Sequence, residues 1–361
     1  MAEPAAPRRS ADPSAPLRSA VSSIPRRPTT GNPLLGLSTV PDDLTRVEAT
    51  LRESVRSEDP YLTELASHLI QAGGKRGRPA FAVGAAATAL TTMAPVSDDV
   101  VRGAVSVELV HLGSLYHDDV MDEARTRRTV ESVNARWGNL QAILAGDFLL
   151  ARASEIAASL GTEVAGLLAA TISRLCEGQI LELQHTYNPG RTEDVYLASI
   201  RGKTAALYAT SSRIGALVAD LPRTHVDALT AFGQAYGMAF QVVDDILDLV
   251  ASDEQLGKPA GHDLIEGVYT LPVIHTLAAG TAEADALKAL LGSPLTLEQM
   301  DEARAIVRTA GYVDAALETA RGFVGDAHAA LVPLGESEAR AGLEGAATHL
   351  LSTVTEIATV G

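Results

Sequence analysis

The sequence predicts an all-α protein that folds as one large domain. From Val40 onward, apolar residues recur at spacings of three and four, and segments that alternate apolar with polar residues are few. Glycine and proline breaks divide this pattern into roughly a dozen segments of helical length. No unit of roughly 20 to 50 residues repeats, which argues against a helical solenoid. We therefore expect a single-domain helical bundle over residues 36–361.

Local punctuation predicts where these helices end. Breaks fall at Ala72-Gly73-Gly74, around Pro95, at Gly161, at Asn188-Pro189-Gly190, at Leu221-Pro222, between Gly257 and Gly261, and near Gly280. Glycine adopts backbone conformations that end a helix and proline removes a backbone donor, so both favour turns. The longest uncharged stretch, residues 79–97, lacks the Leu, Ile and Phe density of a membrane span and is predicted to be a buried core helix.

Residues 1–35 differ from the rest of the chain. They are rich in Pro, Ala, Ser and Arg, a composition that buries too little apolar surface to fold, so we predict a disordered tail. The pairs Arg8-Arg9 and Arg26-Arg27 are not followed by an apolar segment, which argues against an export signal.

The composition argues against several classes of function. The net charge of −16 disfavours a general nucleic-acid or anionic-membrane binder, although local basic groups can still bind an anionic substrate. The lone cysteine, Cys176, cannot pair within the chain and lies in no Cys/His metal-binding pattern. We therefore expect a cytoplasmic protein without a transmembrane segment, in which Cys176 is a core residue.

Two acidic motifs of DDxxD spacing stand out in the helical pattern. They contain Asp118, Asp119 and Asp122, and Asp244, Asp245 and Asp248. Residues i and i+4 share a helix face, so each motif brings like charges together. A hard divalent cation such as Mg²⁺ relieves that repulsion, and Mg²⁺ binds to a few carboxylates plus substrate phosphates. One such motif is often a solvated helix face, whereas two in apolar surroundings favour a site that clamps a diphosphate.

Basic residues accompany the acidic motifs. Residues 73–79 form a glycine-rich turn that can bring Lys75 and Arg78 onto one anion. His111 lies seven residues before Asp118, two turns along the same helix face. A solvated turn or a core histidine would explain these residues singly, but their alignment with the acidic motif favours binding of two anions. The other polar candidates are Arg127, Arg128, Lys203, Thr204, Gln241 and Lys258.

The motifs resemble those of the trans-isoprenyl diphosphate synthases, also called polyprenyl synthetases. The resemblance covers nearly the whole chain after the tail and keeps the family's order and spacing: GGKRGRP at 73–79, ELVHLGSLYHDDVMDEARTRR at 108–128, GQILEL at 178–183, GKT at 202–204, FQVVDDILDL at 240–249 and GKPAGHDLIEGVYTLPVI at 257–274. It implies an all-α bundle of the isoprenoid synthase type around a deep central cavity, usually a homodimer. The implied reaction condenses isopentenyl diphosphate with an allylic diphosphate.

The resemblance also implies a role for each candidate residue. Isopentenyl diphosphate would be held by Lys75, Arg78, His111 and Arg128. Mg²⁺ on the allylic diphosphate would be held by Asp118, Asp119 and Asp122, assisted by Arg127, Lys203, Thr204, Gln241 and Lys258. The remaining metal would be carried by Asp244, with Asp245 and Asp248 nearby. The catalytic residues implied are Asp118, Asp119, Asp122, Asp244 and Lys203.

Two departures from the family's pattern concern the lid over the isopentenyl site. Thr129-Val130-Glu131 stands where relatives usually have a glycine and a proline or other small residues. The sequence ends in Ala358-Thr359-Val360-Gly361, without the basic residue that many relatives have there. Neither departure affects a predicted metal ligand.

Chain elongation has rivals in neighbouring classes of protein. A class I terpene cyclase shares the first acidic motif but binds no second diphosphate, and its pocket is usually rich in aromatic faces. This chain has only 5 Phe and 1 Trp, together with the second basic constellation. An inactive regulatory subunit of a two-component synthase would be expected to lack some acidic ligands, and all six aspartates are present here. Elongation is therefore the favoured hypothesis.

The length of the product is predicted from the helix that carries the first acidic motif. Gly113 lies five residues before Asp118, about 7.5 Å along the helix. In the family an aromatic residue at this position acts as a floor, so Gly113 and Ser114 predict an open channel and a heptaprenyl to decaprenyl product, as used for quinone side chains. Tyr116 could narrow the upper pocket, and geranylgeranyl diphosphate is the alternative product. Gly113 could instead serve close packing of helices.

Overall fold

The computed structural model describes residues 32–90, 92–252 and 260–360. Over these residues the chain is almost entirely helical, and its only strands are two residues long. The predicted all-α fold class is confirmed. Lys258 and residues 1–31 lie outside the described residues.

The helices follow one another along the chain. A 3-10 helix, Pro33–Gly36, comes first, and a π-helical turn, Arg201–Ala205, joins α8 to α9. Strands β1 (Thr126–Arg127) and β2 (Val130–Glu131) pair antiparallel between α4 and α5. The α-helices are α1 (Val40–Ser54), α2 (Pro60–Gln71), α3 (Gly77–Ala87), α4 (Asp98–Met121), α5 (Val133–Trp137), α6 (Asn139–Ser159), α7 (Thr162–Leu183), α8 (Glu193–Ile200), α9 (Ala206–Val218), α10 (Arg223–Val250), α11 (His262–Ile265), α12 (Leu271–Ala278), α13 (Ala282–Leu290), α14 (Leu297–Thr309), α15 (Tyr312–Leu331) and α16 (Glu338–Val360).

Sequence signals explain several of these boundaries. The Ser97 side chain accepts a hydrogen bond from the Val100 amide and caps α4, whose first turn also carries two aspartates that suit the positive end of the helix dipole. Gly73 follows the end of α2 and Gly161 precedes α7, with φ of 86° and 119°. Glycine tolerates that left-handed region, which explains why both predicted breaks are observed.

The folded part begins a few residues earlier than the sequence suggested. Leu34, in the 3-10 helix, is fully buried. A methyl group at Gly84 of α3 would lie 2.7 Å from the Leu34 side chain, so the absence of a side chain on α3 makes room for it. Residues 32–35 therefore belong to the helical body, whereas the sequence boundary placed them in the tail.

Two long helices, α4 and α10, organise the core. α4 packs mainly against α6, α3 and α9, while α10 packs against α15 and α9. Residues 79–87 of α3 are all buried, which confirms the predicted core helix for that part of residues 79–97. Small residues allow the close approach: a methyl group on Gly215 of α9 would overlap the backbone of Ala82 in α3.

An aromatic cluster fills the junction of α3, α9 and α10. Its ring centroids lie 4.2 to 6.3 Å apart, the range in which aromatic pairs attract one another. The cluster consists of Phe81, Tyr208, Phe232, Tyr236 and Phe240. The aromatic cluster therefore lies next to the turn that carries Lys75 and Arg78.

The first departure from the family's pattern, Thr129-Val130-Glu131, begins in the turn of the small hairpin. Arg128 and Thr129 form its turn, with φ of 53° and 68°. A β-branched residue is unfavourable in the left-handed region, so Thr129 holds a strained position that a glycine would adopt freely.

Helix α7 exposes part of its apolar face to solvent. By length and composition alone, α7 is apolar enough to cross a membrane. Only 22% of its most apolar stretch is buried inside the protein. Cys176 lies on the exposed side of α7, so the prediction that it is a core residue is wrong. The reason is that part of the apolar face of α7 is not covered by the described residues of this chain.

Candidate active site

The first acidic motif occupies the last turn of α4. Asp118 is half-buried, and the side chains of Asp118 and Asp122 form no hydrogen bond or ion pair with the described part of the chain. Burial raises the pKa of Asp118. Partial burial, and then the charge of Glu266, raises the pKa of Asp122 to about 6. Two carboxyl groups that resist ionisation and lack partners form a site that a cation would stabilise.

Asp119 points away from this pair. It is buried, and its Oδ1 accepts hydrogen bonds from Nε and Nη2 of Arg127 at 2.7 and 2.6 Å. Its other oxygen, Oδ2, is buried without a partner among the described residues. Asp119 therefore fixes the β-hairpin to α4, and its role as a metal ligand stays a prediction.

The second acidic motif lies near the end of α10 and divides in the same way. Asp244 is exposed, while Asp245 and Asp248 are buried. The carboxylate of Asp245 accepts hydrogen bonds from the Tyr196 hydroxyl at 2.6 Å and from Gln241 Nε2 at 2.8 Å. Burial raises the pKa of Asp245 to about 7. Asp248 Oδ2 accepts the Asp263 amide at 3.3 Å, so it anchors the start of α11.

Lys203 lies between the two acidic motifs. Its Nζ is 2.6 Å from Glu182 Oε1 on α7. Burial acts to lower the pKa of Lys203, but the charges of Glu182 and then of Asp118 outweigh it and raise the pKa. The charge of Glu182 acts on Asp118 in the first motif and on Asp245 in the second. Both acidic motifs therefore lie near Glu182 and Lys203. Sequence reasoning gave Glu182 no role, although it lies in the GQILEL motif.

A distortion of the helix presents Lys203 to this space. The π-helical turn contains Gly202, where a methyl group would lie 2.7 Å from the Arg174 carbonyl oxygen. Single π turns are frequent at functional sites because they redirect side chains. The neighbouring Thr204 donates to Gln241 Oε1 at 2.6 Å, and Gln241 in turn holds Asp245.

Two cationic side chains of the 73–79 turn form no ion pair with the described residues. Lys75 is exposed and forms no ion pair with the described residues. The Arg78 guanidinium lies 4.9 Å from the centroid of the Tyr208 ring, an attractive cation–π arrangement. Its Nε is buried without an acceptor among the described residues. A buried donor without an acceptor is unfavourable, so this position favours an anionic ligand.

Arg128 and His111 face the same turn. Arg128 Nη1 donates to the carbonyl oxygens of Leu69, at 3.2 Å, and of Gly73. Burial, followed by the charges of Arg78 and Arg128, lowers the pKa of His111 well below its usual range. His111 is therefore neutral near pH 7 and can donate a hydrogen bond to an anion without adding charge.

Gly113 and Tyr116 both lie at contacts between α4 and a neighbouring helix, and their predicted roles in product length stay predictions. A methyl group on Gly113 would lie 3.1 Å from the Gly146 carbonyl oxygen and from Leu150 Cγ, so Gly113 serves close packing of α4 on α6. Tyr116 is fully buried and donates to the Leu65 carbonyl oxygen at 2.6 Å, which ties α4 to α2. Ser114 is half-buried, lies one turn before Asp118, and keeps its predicted place beside the acidic motif.

The carboxylates suit a metal ion that is shared with a substrate. Among the described residues, no three Asp, Glu, His or Cys groups converge closely enough to hold a metal alone. Mg²⁺ commonly takes one or two carboxylates and completes its shell with water and phosphate oxygens. Asp118, Asp122 and Asp244, the members of the two motifs that face solvent or are half-buried, fit that mode of binding.

Comparisons with known proteins agree with this site. Residues 59–309 match the family model described as polyprenyl synthetase. The chain is 44% identical over 242 residues to heptaprenyl diphosphate synthase component 2 of Geobacillus stearothermophilus, covering 67% of this chain and 74% of the relative. It is 40% identical over 253 residues to the nonaprenyl diphosphate synthase of Mycobacterium tuberculosis, covering 69% and 74%.

A solved structure shows the same fold. The polyprenyl synthase of Caulobacter crescentus, complexed with calcium and isoprenyl diphosphate, has a TM-score of 0.82 and 34% identity, covering 89% of this chain and 97% of that one. The residues that match the family model include both acidic motifs and the basic turn. The chain therefore belongs to the polyprenyl synthetase family and is a prenyltransferase that elongates prenyl chains to medium or long length.

Proposed function

We propose that this enzyme catalyses the Mg²⁺-dependent, head-to-tail condensation of isopentenyl diphosphate with an allylic diphosphate. The product is an all-trans polyprenyl diphosphate of heptaprenyl to decaprenyl length. One observation carries the proposal: α4 presents the carboxylates of Asp118 and Asp122 at its end and borders a cationic pocket at His111. His111 and Asp118 are seven residues apart, or about 10 Å along the helix. Two diphosphates, one bound through metal and one through arginine and lysine, fit these two environments side by side.

The side chains of this enzyme divide the work between the two substrates. Asp118, Asp122 and Asp244 would hold Mg²⁺, which would neutralise the charge that develops on the leaving diphosphate. Lys203 and Arg127 flank the acidic motifs and stabilise the same charge directly. Lys75, Arg78 and His111 fix isopentenyl diphosphate so that its double bond meets the allylic carbon. The released diphosphate is the nearest base for the proton that is then lost.

The rival functions lack comparable support. A cyclase has no use for a second cationic pocket, and in this pocket the buried Arg78 Nε has no acceptor among the described residues. A regulatory subunit has no need for the pair Asp118 and Asp122, two carboxyl groups with raised pKa that form no side-chain hydrogen bond with the described residues. The length assignment no longer depends on Gly113. It rests on the relatives, which are named heptaprenyl and nonaprenyl diphosphate synthases.

We also propose that the enzyme assembles as a homodimer through α6 and α7. Large apolar side chains are exposed on both helices: Leu140 (74%), Ile143, Leu144 (65%), Ile180 and Leu183. α6 packs on α7, so these residues share one surface. Exposed apolar patches of this kind mark interfaces between subunits. A heteromer is the alternative, because one relative is named component 2 of its enzyme.

The reaction itself is tested by sizing the products. Wild-type enzyme with isopentenyl diphosphate, farnesyl diphosphate and Mg²⁺ should give heptaprenyl to decaprenyl products in mass spectrometry. Excess EDTA, Asp118→Asn or Asp244→Asn should each lower turnover by about 100-fold or more, since charge stabilisation is lost. Glu123→Gln, next to Asp122 and exposed, is the control and should stay near wild type. Full turnover in EDTA would refute the metal-dependent mechanism.

The cationic pocket is tested by separating the two Michaelis constants. Lys75→Ala and Arg78→Ala should raise the KM for isopentenyl diphosphate by about 10- to 100-fold, because each removes a charge-assisted contact. The KM for the allylic substrate should change little. Arg125→Ala, an exposed arginine near the hairpin, is the control. Conversion of an allylic diphosphate alone into a hydrocarbon or alcohol would instead identify a cyclase.

Product length is tested at Ser114. Ser114→Phe adds a ring one turn from Asp118, on the face where the growing chain should pass, so products should become shorter while the first condensation continues. Ser114→Ala should leave the length unchanged. Gly113→Ala should lower thermal stability, because its methyl group meets the Gly146 carbonyl oxygen, without shortening the products. Wild-type lengths from an active Ser114→Phe enzyme would exclude Ser114 from the channel.

Assembly is tested by mass measurement in solution. Light scattering should give twice the monomer mass for the wild type, and Leu144→Glu should shift the protein toward monomer because it buries a charge at the interface. Leu297→Glu, at an equally exposed leucine on α14, is the control. A wild-type monomer at micromolar concentration would contradict the homodimer.

A further inference from the structure

We propose that Arg76 is a positioning residue for the isopentenyl diphosphate pocket, an inference that rests on the proposed function. Arg76 does not face the anion itself. It forms a buried ion triad with Glu48 of α1 and Glu108 of α4, and this triad locks the turn that carries Lys75 and Arg78 onto the helix that carries His111.

The triad joins three helices through one guanidinium group. The Arg76 side chain is 7% exposed, and Nε lies 2.7 Å from Glu48 Oε2. Nη1 lies 3.0 Å from Glu108 Oε1, and Nη2 donates to the Ile70 carbonyl oxygen at 3.3 Å. Each nitrogen of the planar group therefore has its own acceptor, on α1, on α4 and in the last turn of α2. Such a fork fixes orientation as well as distance.

The backbone of the turn depends on these contacts. Arg76 itself has φ of 47°, a left-handed conformation that residues with side chains rarely adopt. A methyl group on Gly74 would lie 2.8 Å from Nη1 of both Arg76 and Arg128, so the turn passes between two guanidinium groups. Lys75 and Arg78 stand on either side of Arg76 in sequence, and its anchoring sets the direction of both.

Glu108 supplies the counter-charge that lets the cations gather before substrate binds. It is 2% exposed and lies three residues before His111 on α4. Burial raises the pKa of Glu108, and the charges of Arg76, Arg78 and Arg128 oppose that rise. One buried carboxylate thus faces three arginines, two of which are proposed ligands of the diphosphate. Arg76 is bound to it, while Arg78 keeps a donor without an acceptor.

Two variants separate positioning from simple attraction of the substrate. The double variant Arg76→Met/Glu108→Met removes one positive and one negative charge, so the net charge of the pocket is unchanged. Glu48→Gln removes a negative charge, which by itself would strengthen anion binding. A rise in the KM for isopentenyl diphosphate in either variant must therefore come from lost geometry. Arg52→Gln is the matched control, because Arg52 is 62% exposed and pairs with the other oxygen of Glu48 at 3.0 Å.

The measurements are both Michaelis constants, kcat, thermal stability and the affinity of the metal-free enzyme for isopentenyl diphosphate by calorimetry. We expect the KM and Kd for isopentenyl diphosphate to rise about tenfold in the double variant and severalfold in Glu48→Gln. The allylic KM should stay within about twofold, and Arg52→Gln should match the wild type. If the double variant does not fold, Glu48→Gln decides, since Glu48 is partly exposed and leaves the Arg76–Glu108 pair intact.

Two outcomes overturn the proposal. In one, both variants fold and bind isopentenyl diphosphate as the wild type does, which would make the triad a structural ion pair that apolar residues can replace. In the other, both Michaelis constants rise together, which would indicate general loosening of the fold. Failure of the proposed function is distinguishable, because the wild type would then show no elongation that depends on isopentenyl diphosphate.

Discussion

The structure depends on holding like charges close together before any ligand is bound. Both acidic motifs lie in the last turns of long helices, α4 and α10, where the helix dipole is negative and carboxylates are already disfavoured. Burial raises the pKa of both Asp118 and Asp122, and the charges of neighbouring carboxylates add to that rise. A cation that entered between them would relieve repulsion from the motif and from the helix end at once. The site is therefore electrostatically incomplete in a way that favours metal together with diphosphate.

The cationic groups divide into two kinds by their protein partners. Lys203 pairs with Glu182, Arg127 with Asp119, and Arg76 with Glu108. Lys75 and Arg78 have no such partner among the described residues. In the proposed reaction, Lys203 and Arg127 would exchange a carboxylate partner for a phosphate when substrate binds, whereas Lys75 and Arg78 in the proposed isopentenyl pocket have no carboxylate to release. The difference between the two groups has a physical reason. Lys203 is buried, and the carboxylate of Glu182 beside it offsets the cost of burying its charge.

The fold and the composition of the site were predictable because periodicity and motif order are local properties of the sequence. The individual roles were not. Asp119 and Asp245 share the motifs with Asp118 and Asp244, yet each turns toward a partner, Arg127 or Tyr196, that only the tertiary structure supplies. Gly113 was ambiguous for the same reason: an absent side chain can open a channel or admit a neighbouring helix. The structure shows the close contact with α6, and sequence spacing carries no information about the position of that helix.

That packing also connects the proposed subunit interface with the catalytic helix. His117 precedes Asp118 and its Nε2 lies 3.2 Å from the Ile143 carbonyl oxygen on α6. The Ile143 side chain is exposed and is one of the apolar residues proposed to meet a second subunit. A single helix, α6, thus separates that surface from the metal-binding turn, and the glycine contact between Gly113 and Gly146 leaves little room for it to shift. A second subunit on the proposed interface would therefore contact the helix that packs against the end of α4, and the proposed assembly would bear on the proposed metal site through α6 alone.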